Sequence, residues 1–256
     1  ERGRNAEERM LRLFGTPVSQ PTRAVMWTLL MKRIDFQSVF SLPHSNKANL
    51  PFSEDDDAGR PRVDTEHSAF PHPSRSVPVL QHDGFVLSES HAILTYLADT
   101  HAWNDLYPTE TKTRAKINEY LHWHHRSIRE LTYAFFAPSA TATESLTNPP
   151  QSTKAAKALN RINEVLKHQP YLVEGMEGPS IGDISCYAEV AQLKPEFLDV
   201  YDFSNHVEVL RWMERMEGLS GHDEAHDGLA KYCARMKKLG KLPAKHDTSV
   251  FVRDAM

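Results

Sequence analysis

Apolar and polar positions alternate with period two in Leu11-Arg-Leu-Phe-Gly15 and again in Phe36-Gln-Ser-Val-Phe-Ser-Leu42, which is the spacing of half-buried strands. Between them the period lengthens. Ala24, Val25, Leu29 and either Met31 or Ile34 share one helical face, so a helix is predicted there, with Ser19 as its N-cap and Pro21 in a first turn that tolerates a missing N–H. Strand, helix and strand in that order imply a right-handed parallel crossover. Two shorter apolar runs, Val77–Leu80 and Phe85–Leu87, flank Asp83-Gly84 and predict a β-hairpin that completes a mixed sheet. Pro78 donates no ladder hydrogen bond, so the first run is an edge there or ends there, with a cis Val77-Pro78 bond as one way of ending it. Ser88-Glu89-Ser90 then opens an amphipathic helix carrying Ile93, Leu94 and Leu97.

The second half reads as helical throughout. Ile117, Leu121, His124, Ile128, Leu131 and Phe135 recur every three or four residues, which predicts one long helix with a single buried face. Lys154 to Lys167 resumes the pattern through Ala158, Ile162, Val165 and Leu166. Ser180 and Asp183 have the spacing of a capping box ahead of an apolar run from Ile184 to Leu193, with Asp in the position that Glu often takes. Helices are predicted at about 185–194 and 205–217, and the residues beyond Lys237 as a surface tail. Pro43 to Arg75 is rich in Pro, Ser, Asn and Asp and lacks periodicity, the mark of a long surface excursion.

Composition narrows the function classes. Two domains fit 256 residues and allow a sizeable core. Acidic residues outnumber basic ones 34 to 30, and no block of like charge suggests nucleic acid as a partner. The two cysteines, Cys186 and Cys233, are too few for a disulfide framework, which implies free thiols in a reducing compartment. No apolar run approaches membrane-spanning length and the first residues lack a signal-peptide core, so a soluble, cytoplasmic protein without a membrane partner is expected. Met10 is either a native start or a core residue.

Chemistry concentrates where helices begin. The Ser88-Glu89-Ser90 end offers hydroxyls, free N–H groups and a positive dipole end to an anion. Residues 10 to 235 also resemble the cytosolic glutathione transferases: Ser19-Gln20-Pro21 with Arg23-Ala24-Val25, Val77-Pro78, Ser88-Glu89-Ser90 with Ala92-Ile93-Leu94, and Ile181-Gly182-Asp183-Ile184 carry the likeness. Ser-Gln-Pro after the first strand, Leu106-Tyr107-Pro108 and Glu119-Tyr-Leu-His-Trp-His124 are similar to the theta class.

The resemblance implies a fold and a set of roles. The fold is an α/β N-terminal thioredoxin-like domain (10–101), a linker (102–110), an all-α C-terminal domain (111–235) and a tail (236–256). Glutathione is the implied co-substrate, with a hydrophobic electrophile as its partner in detoxification and with peroxidase activity also in view. A homodimer is implied, and no metal. Ser19 would stabilise the thiolate, its alternative role being an N-cap only, and Arg129 would approach the sulfur. Val77 and Pro78 would orient the cysteinyl amide, Glu89 would pair with the γ-glutamyl ammonium and Ser90 would take its carboxylate. Gln20 is a further polar contact, and the glycine carboxylate falls to His44, Lys47 or His67.

Several residues depart from that pattern or admit a plainer role. Ser76 stands where a basic residue is usual, with Arg75 one position earlier, and Arg126 stands where theta members offer an acidic residue across the dimer. Met26, Trp27, Tyr133 and Phe136 line an electrophile pocket or are core. His122, His124 and His125 lack the carboxylate or Cys partners of a metal site, and Cys186 reads as a packed thiol. These departures keep a second class open: a non-catalytic protein of the same fold that binds apolar ligands or a protein partner.

Overall fold

A computed structural model of the chain describes residues 10–42, 71–131 and 149–242, the side chains of 149–156 excepted. Its first half holds β1 (Arg12–Gly15), α1 (Gln20–Met31), β2 (Gln37–Phe40), β3 (Val79–His82), β4 (Phe85–Ser88) and α2 (Ser90–Thr100). The strands form one mixed sheet in the order β2-β1-β3-β4. β1 runs parallel to β2 through the predicted crossover, and antiparallel to β3, which pairs with β4 as a hairpin.

The hairpin turn follows from its two residues. Asp83 and Gly84 have φ of 51° and 80°, the pair of positive values that a tight two-residue hairpin needs. The strands, however, lie later than the apolar runs suggest. β3 starts at Val79 because Pro78, preceded by a cis peptide bond, has no N–H for the ladder. The helix after β4 likewise starts at Ser90, with Glu89 at its N-cap.

The second half holds α3 (Thr111–Arg126), α4 (Pro149–Leu166), α5 (Ile181–Val190) continued by a 3₁₀ turn (Ala191–Leu193), α6 (Val207–Glu217) and α7 (His222–Lys238). The stripe Ile117, Leu121, His124, Ile128 and Leu131 is buried as expected, yet the predicted single long helix is interrupted. Ser127 leaves the helical region at φ −137° and ψ −70°, and its N–H closes on the His124 carbonyl at 3.2 Å; helical backbone resumes at 129–131. Three- and four-residue spacing survives such a break, so periodicity alone does not reveal it. Phe135 lies outside the described residues. α7 covers a segment of the helical half for which the apolar pattern set no bounds, and it ends where the predicted tail begins.

One apolar core runs through both halves. α1 is its hub, packing against α5, α7 and α2, while α2 lies on β3 and β4. Val25, Trp27 and Leu29 of α1 share one buried cluster with Leu80, Ile93, Leu94, Ile184, Tyr187 and Cys233. The Trp27 ring packs edge-on against Tyr187 and donates its indole N–H to the Ser220 carbonyl at 3.1 Å, so Trp27 is core rather than pocket. Gly221, with φ 74°, lets α7 begin against α1: a Cβ there would stand 2.8 Å from Leu30. No described helix is long and apolar enough to cross a membrane.

Candidate active site

α1 begins at a loop that a buried cation holds. The Arg23 guanidinium is closed from solvent and donates to the carbonyls of Pro17 at 3.1 Å, Val18 at 2.8 Å and, across the molecule on α5, Ala188 at 2.7 Å. Burial pushes its pKa down to about 10, which leaves it charged at neutral pH. Ser19 follows this braced loop directly. Its backbone N–H donates to Thr16 at 2.9 Å, its carbonyl accepts from Arg23, and its hydroxyl makes no capping bond although it occupies the N-cap position. An uncommitted hydroxyl at a positive helix end can donate to an anion.

The hairpin entrance supplies the opposite wall. His72, Ser74 and Ser76 are linked through the Ser74 hydroxyl, which lies 2.8 Å from both His72 Nδ1 and Ser76 Oγ. That chain braces the backbone leading into Val77 and the cis Val77-Pro78 bond. After the hairpin, Glu89 adopts φ 71° and ψ 110°, a conformation that side chains rarely adopt and that folds retain where surrounding structure enforces it. Its side chain makes no capping bond and is exposed, whereas Ser90 is buried.

These parts meet in a cavity of about 340 Å³. From the first half come Pro21, Ser76, Val77, Pro78, Glu89 and Ser90, followed by His91; from the second come His124, His125, Arg129, Ser185 and Glu189. Five of the expected site residues are thus brought together: Val77, Pro78, Glu89, Ser90 and Arg129. Ser19 lies at the head of the same helix as Pro21 but is not itself a wall of this cavity.

Two expected contacts, Gln20 and Arg129, are engaged within the protein. Gln20 is buried and hydrogen-bonds Gln192, while its carbonyl oxygen accepts from Arg129 at 3.3 Å. Arg129 forms an ion pair with the buried carboxylate of Glu189. It thus links α1 to α5 through Gln20 and Glu189 while lining the cavity. His44, Lys47 and His67 lie outside the described residues, as do Tyr133 and Phe136. Ser76 does line the cavity at the position where a basic residue is usual, and the neighbouring Arg75 is exposed. Arg126 is also exposed.

Histidines mark the floor. His91 and His124 are buried with their rings 4.9 Å apart, and His125 lies 4.5 Å from His91. Desolvation, together with the neighbouring imidazoles and Arg129, drives His91 down to about 3 and His124 well below the ordinary histidine value. Among the described residues no His, Cys, Asp or Glu group has metal-binding geometry. Cys186 is fully buried and its thiol is pushed up by desolvation, the environment of an inert thiol. Glu189 and Arg23 escaped prediction, though each is a charge within an apolar helical stripe, the signal that could have found them.

Residues 13–105 match the family profile of the glutathione S-transferase N-terminal domain. The chain is similar to glutathione S-transferases over that domain and beyond it. Its relatives include glutathione S-transferase T2 of Arabidopsis thaliana, 29% identical over 89% of this chain, and glutathione S-transferase theta-1 of Mus musculus, 29% identical over 62% of this chain and 70% of the mouse protein. The chain spans 38% of the length of the Arabidopsis protein. Among solved structures, glutathione S-transferase unclassified 2 from Bombyx mori superposes with a TM-score of 0.70 at 23% identity, covering 90% of this chain and 98% of that one. The fold is accordingly that of the glutathione transferases, with a thioredoxin-like N-terminal domain and a helical C-terminal region, and the class similarity is to theta.

Proposed function

We propose that this chain binds glutathione in the cavity between its two halves and conjugates it to electrophilic small molecules. The observation that carries the reading is the cavity itself. It gathers the backbone of Val77 and Pro78, the Glu89 carboxylate and the helix-opening Ser90 against the first turn of α1. In this reading Val77 orients the cysteinyl amide, Glu89 meets the γ-glutamyl ammonium and Ser90 with its N–H takes the α-carboxylate.

The sulfur is then directed toward the N-terminus of α1. A thiol is a poor nucleophile, and lowering its pKa from about 8.5 to about 6.5 raises the thiolate share at neutral pH from about 3% to about 75%. Ser19 fits that task because its hydroxyl is half-buried and makes no capping bond, so that it can donate to sulfur while the helix end favours the charge. Arg129 acts as a positioning residue through Glu189 and Gln20. The same thiolate can reduce a hydroperoxide, which places peroxidase activity alongside conjugation. We propose residues 10–101 as the glutathione-binding domain, 102–110 as linker and 111–235 as the electrophile-binding domain, in a cytoplasmic homodimer.

Retention on immobilised glutathione, with turnover of a panel of organic halides and hydroperoxides, tests the proposal. Retention with turnover is expected; neither would remove the enzyme reading. One observation favours a second reading, a non-catalytic protein binding ligands through the same fold: Ser19 is not a wall of the cavity. Retention without turnover of any panel member would select it.

A further inference from the structure

The turn that delivers Ser19 moves as one body. Ser19 N–H closes on the Thr16 carbonyl at 2.9 Å, so Pro17 and Val18 are the central residues of a four-residue turn, with proline in the position whose φ it pre-sets. Arg23 holds both central carbonyls, Pro17 at 3.1 Å and Val18 at 2.8 Å. At the base of the turn Gly15 lies so close to α1 that a Cβ would stand 2.5 Å from the Thr22 side chain. A push on Pro17 is therefore carried to Ser19 rather than absorbed between them.

What bears on Pro17 comes from far along the chain. Gly228, half-buried within α7, faces the Pro17 ring so closely that a Cβ would stand 2.7 Å from both its Cβ and its Cγ. Glycine inside a helix is unfavourable relative to alanine; here it permits a close approach. Neither side of the contact yields cheaply. The proline ring closes on the backbone and has no free end to swing away. α7 is held on both sides of Gly228: Gly221 leaves no room for a Cβ against Leu30, His226 packs edge-on to Trp27 with ring centres 5.4 Å apart, and Leu229 and Cys233 are buried.

We propose that Gly228 is a positioning residue of the candidate site: through it α7 bears on Pro17 and fixes the turn that presents the Ser19 hydroxyl to sulfur. Its role rests on the reading of Ser19 as donor to a bound glutathione thiolate. A reacting group misplaced by about 1 Å can cost about 100-fold in rate, and a weakened hydrogen bond to the thiolate raises the pKa of the thiol. α7 is thereby coupled to the chemistry at the head of α1, although none of the cavity's described walls comes from α7.

Ultraviolet difference titration of bound glutathione, with the pH profile of kcat for an organic halide, tests this in wild type, Gly228→Ala, Pro17→Gly and the double variant. In Gly228→Ala the bound thiol should ionise about one unit higher than in wild type, with the glutathione Kd within about twofold. Turnover should then fall about fivefold at pH 6.5 and return nearly to the wild-type rate at pH 8.5. Pro17→Gly deletes both ring atoms that the new methyl would meet. It should itself raise the thiol pKa, because α7 no longer bears on the turn, and adding Gly228→Ala to it should change nothing more. A turnover loss equal at every pH, or a weaker Kd with an unmoved thiol, would mean plain packing damage and overturn the proposal. If Gly228→Ala does not fold by circular dichroism, Pro17→Gly carries the test: an alkaline shift is expected, and an unmoved profile overturns it. A wild type that leaves its bound thiol at the free value would remove the Ser19 reading together with Gly228. A wild type that lowers the thiol through Ser19, with Gly228→Ala and Pro17→Gly unmoved, would remove Gly228 alone.

Discussion

At the scale of single residues the site depends on charges held inside the protein. Arg23 pins the loop ahead of Ser19 to α5, and Arg129 joins Glu189 to Gln20. Breaking a buried ion pair from one side leaves an uncompensated charge, typically at about 3–5 kcal/mol, whereas removing both partners is far less damaging. Arg129→Met and Glu189→Leu should each lower unfolding stability by about 3 kcal/mol, with the double variant recovering at least about 1 kcal/mol of the sum. Urea unfolding of the four proteins checks this; simple additivity would show that Arg129 is not tied energetically to Glu189. The sequence showed which residues surround the cavity better than it showed what they touch. Val77, Pro78, Glu89 and Ser90 were legible because a proline and a helix start constrain the backbone locally. The partners of Gln20 and Arg129 were not legible, because Gln192 and Glu189 lie 172 and 60 residues away.

At the scale of elements the periodic signals translated well where one face is buried and poorly at boundaries. Ala24, Val25 and Leu29 of the α1 stripe are closed from solvent, and the Ser180–Asp183 box forms in full: Asp183 accepts from Ser180 N–H at 2.9 Å and Ser180 O–H at 2.7 Å, and also from Leu172 N–H at 2.8 Å and Trp212 N–H at 3.0 Å. Those last two bonds reach outside the box, so a local cap also ties α5 to α6 and to the chain before it. The close seating of α5 on α3 is visible at Gly182, where a Cβ would stand 2.7 Å from the Tyr120 ring. The break at Ser127 was invisible because the apolar spacing continues across it. α7 was read as part of the helical half but given no bounds, for a related reason. Only Ala225, His226, Leu229 and Cys233 of its 17 residues are buried, and half of that stripe is not strongly apolar.

At the scale of the whole molecule, buried imidazoles set the response to acid. His91 and His226 are lowered to about 3, both mainly by desolvation, and His124 is lowered well below the ordinary histidine value, also mainly by desolvation. Each ring binds a proton in the unfolded chain at about pH 6.5 but not in the folded protein. The unfolded state therefore holds more protons below that pH, and stability falls as pH falls. The three groups together should remove about 4 kcal/mol between pH 7 and pH 5.5, measured by urea unfolding at each pH. A flat profile across that window would mean that these rings are not buried and neutral.

Folded in this way, the molecule holds a cavity whose walls come from both halves, and the proposed function sets the sulfur at the head of α1. The ionisation of the bound thiol tests that account most directly. Ultraviolet difference spectra of the glutathione complex, titrated with pH for wild type and Ser19→Ala, report the thiolate. The wild-type complex should ionise about two units below the free thiol value of about 8.5, and Ser19→Ala should return most of that shift while still binding glutathione. A bound thiol that ionises at its free value in the wild type, or one left unchanged by Ser19→Ala, would contradict it.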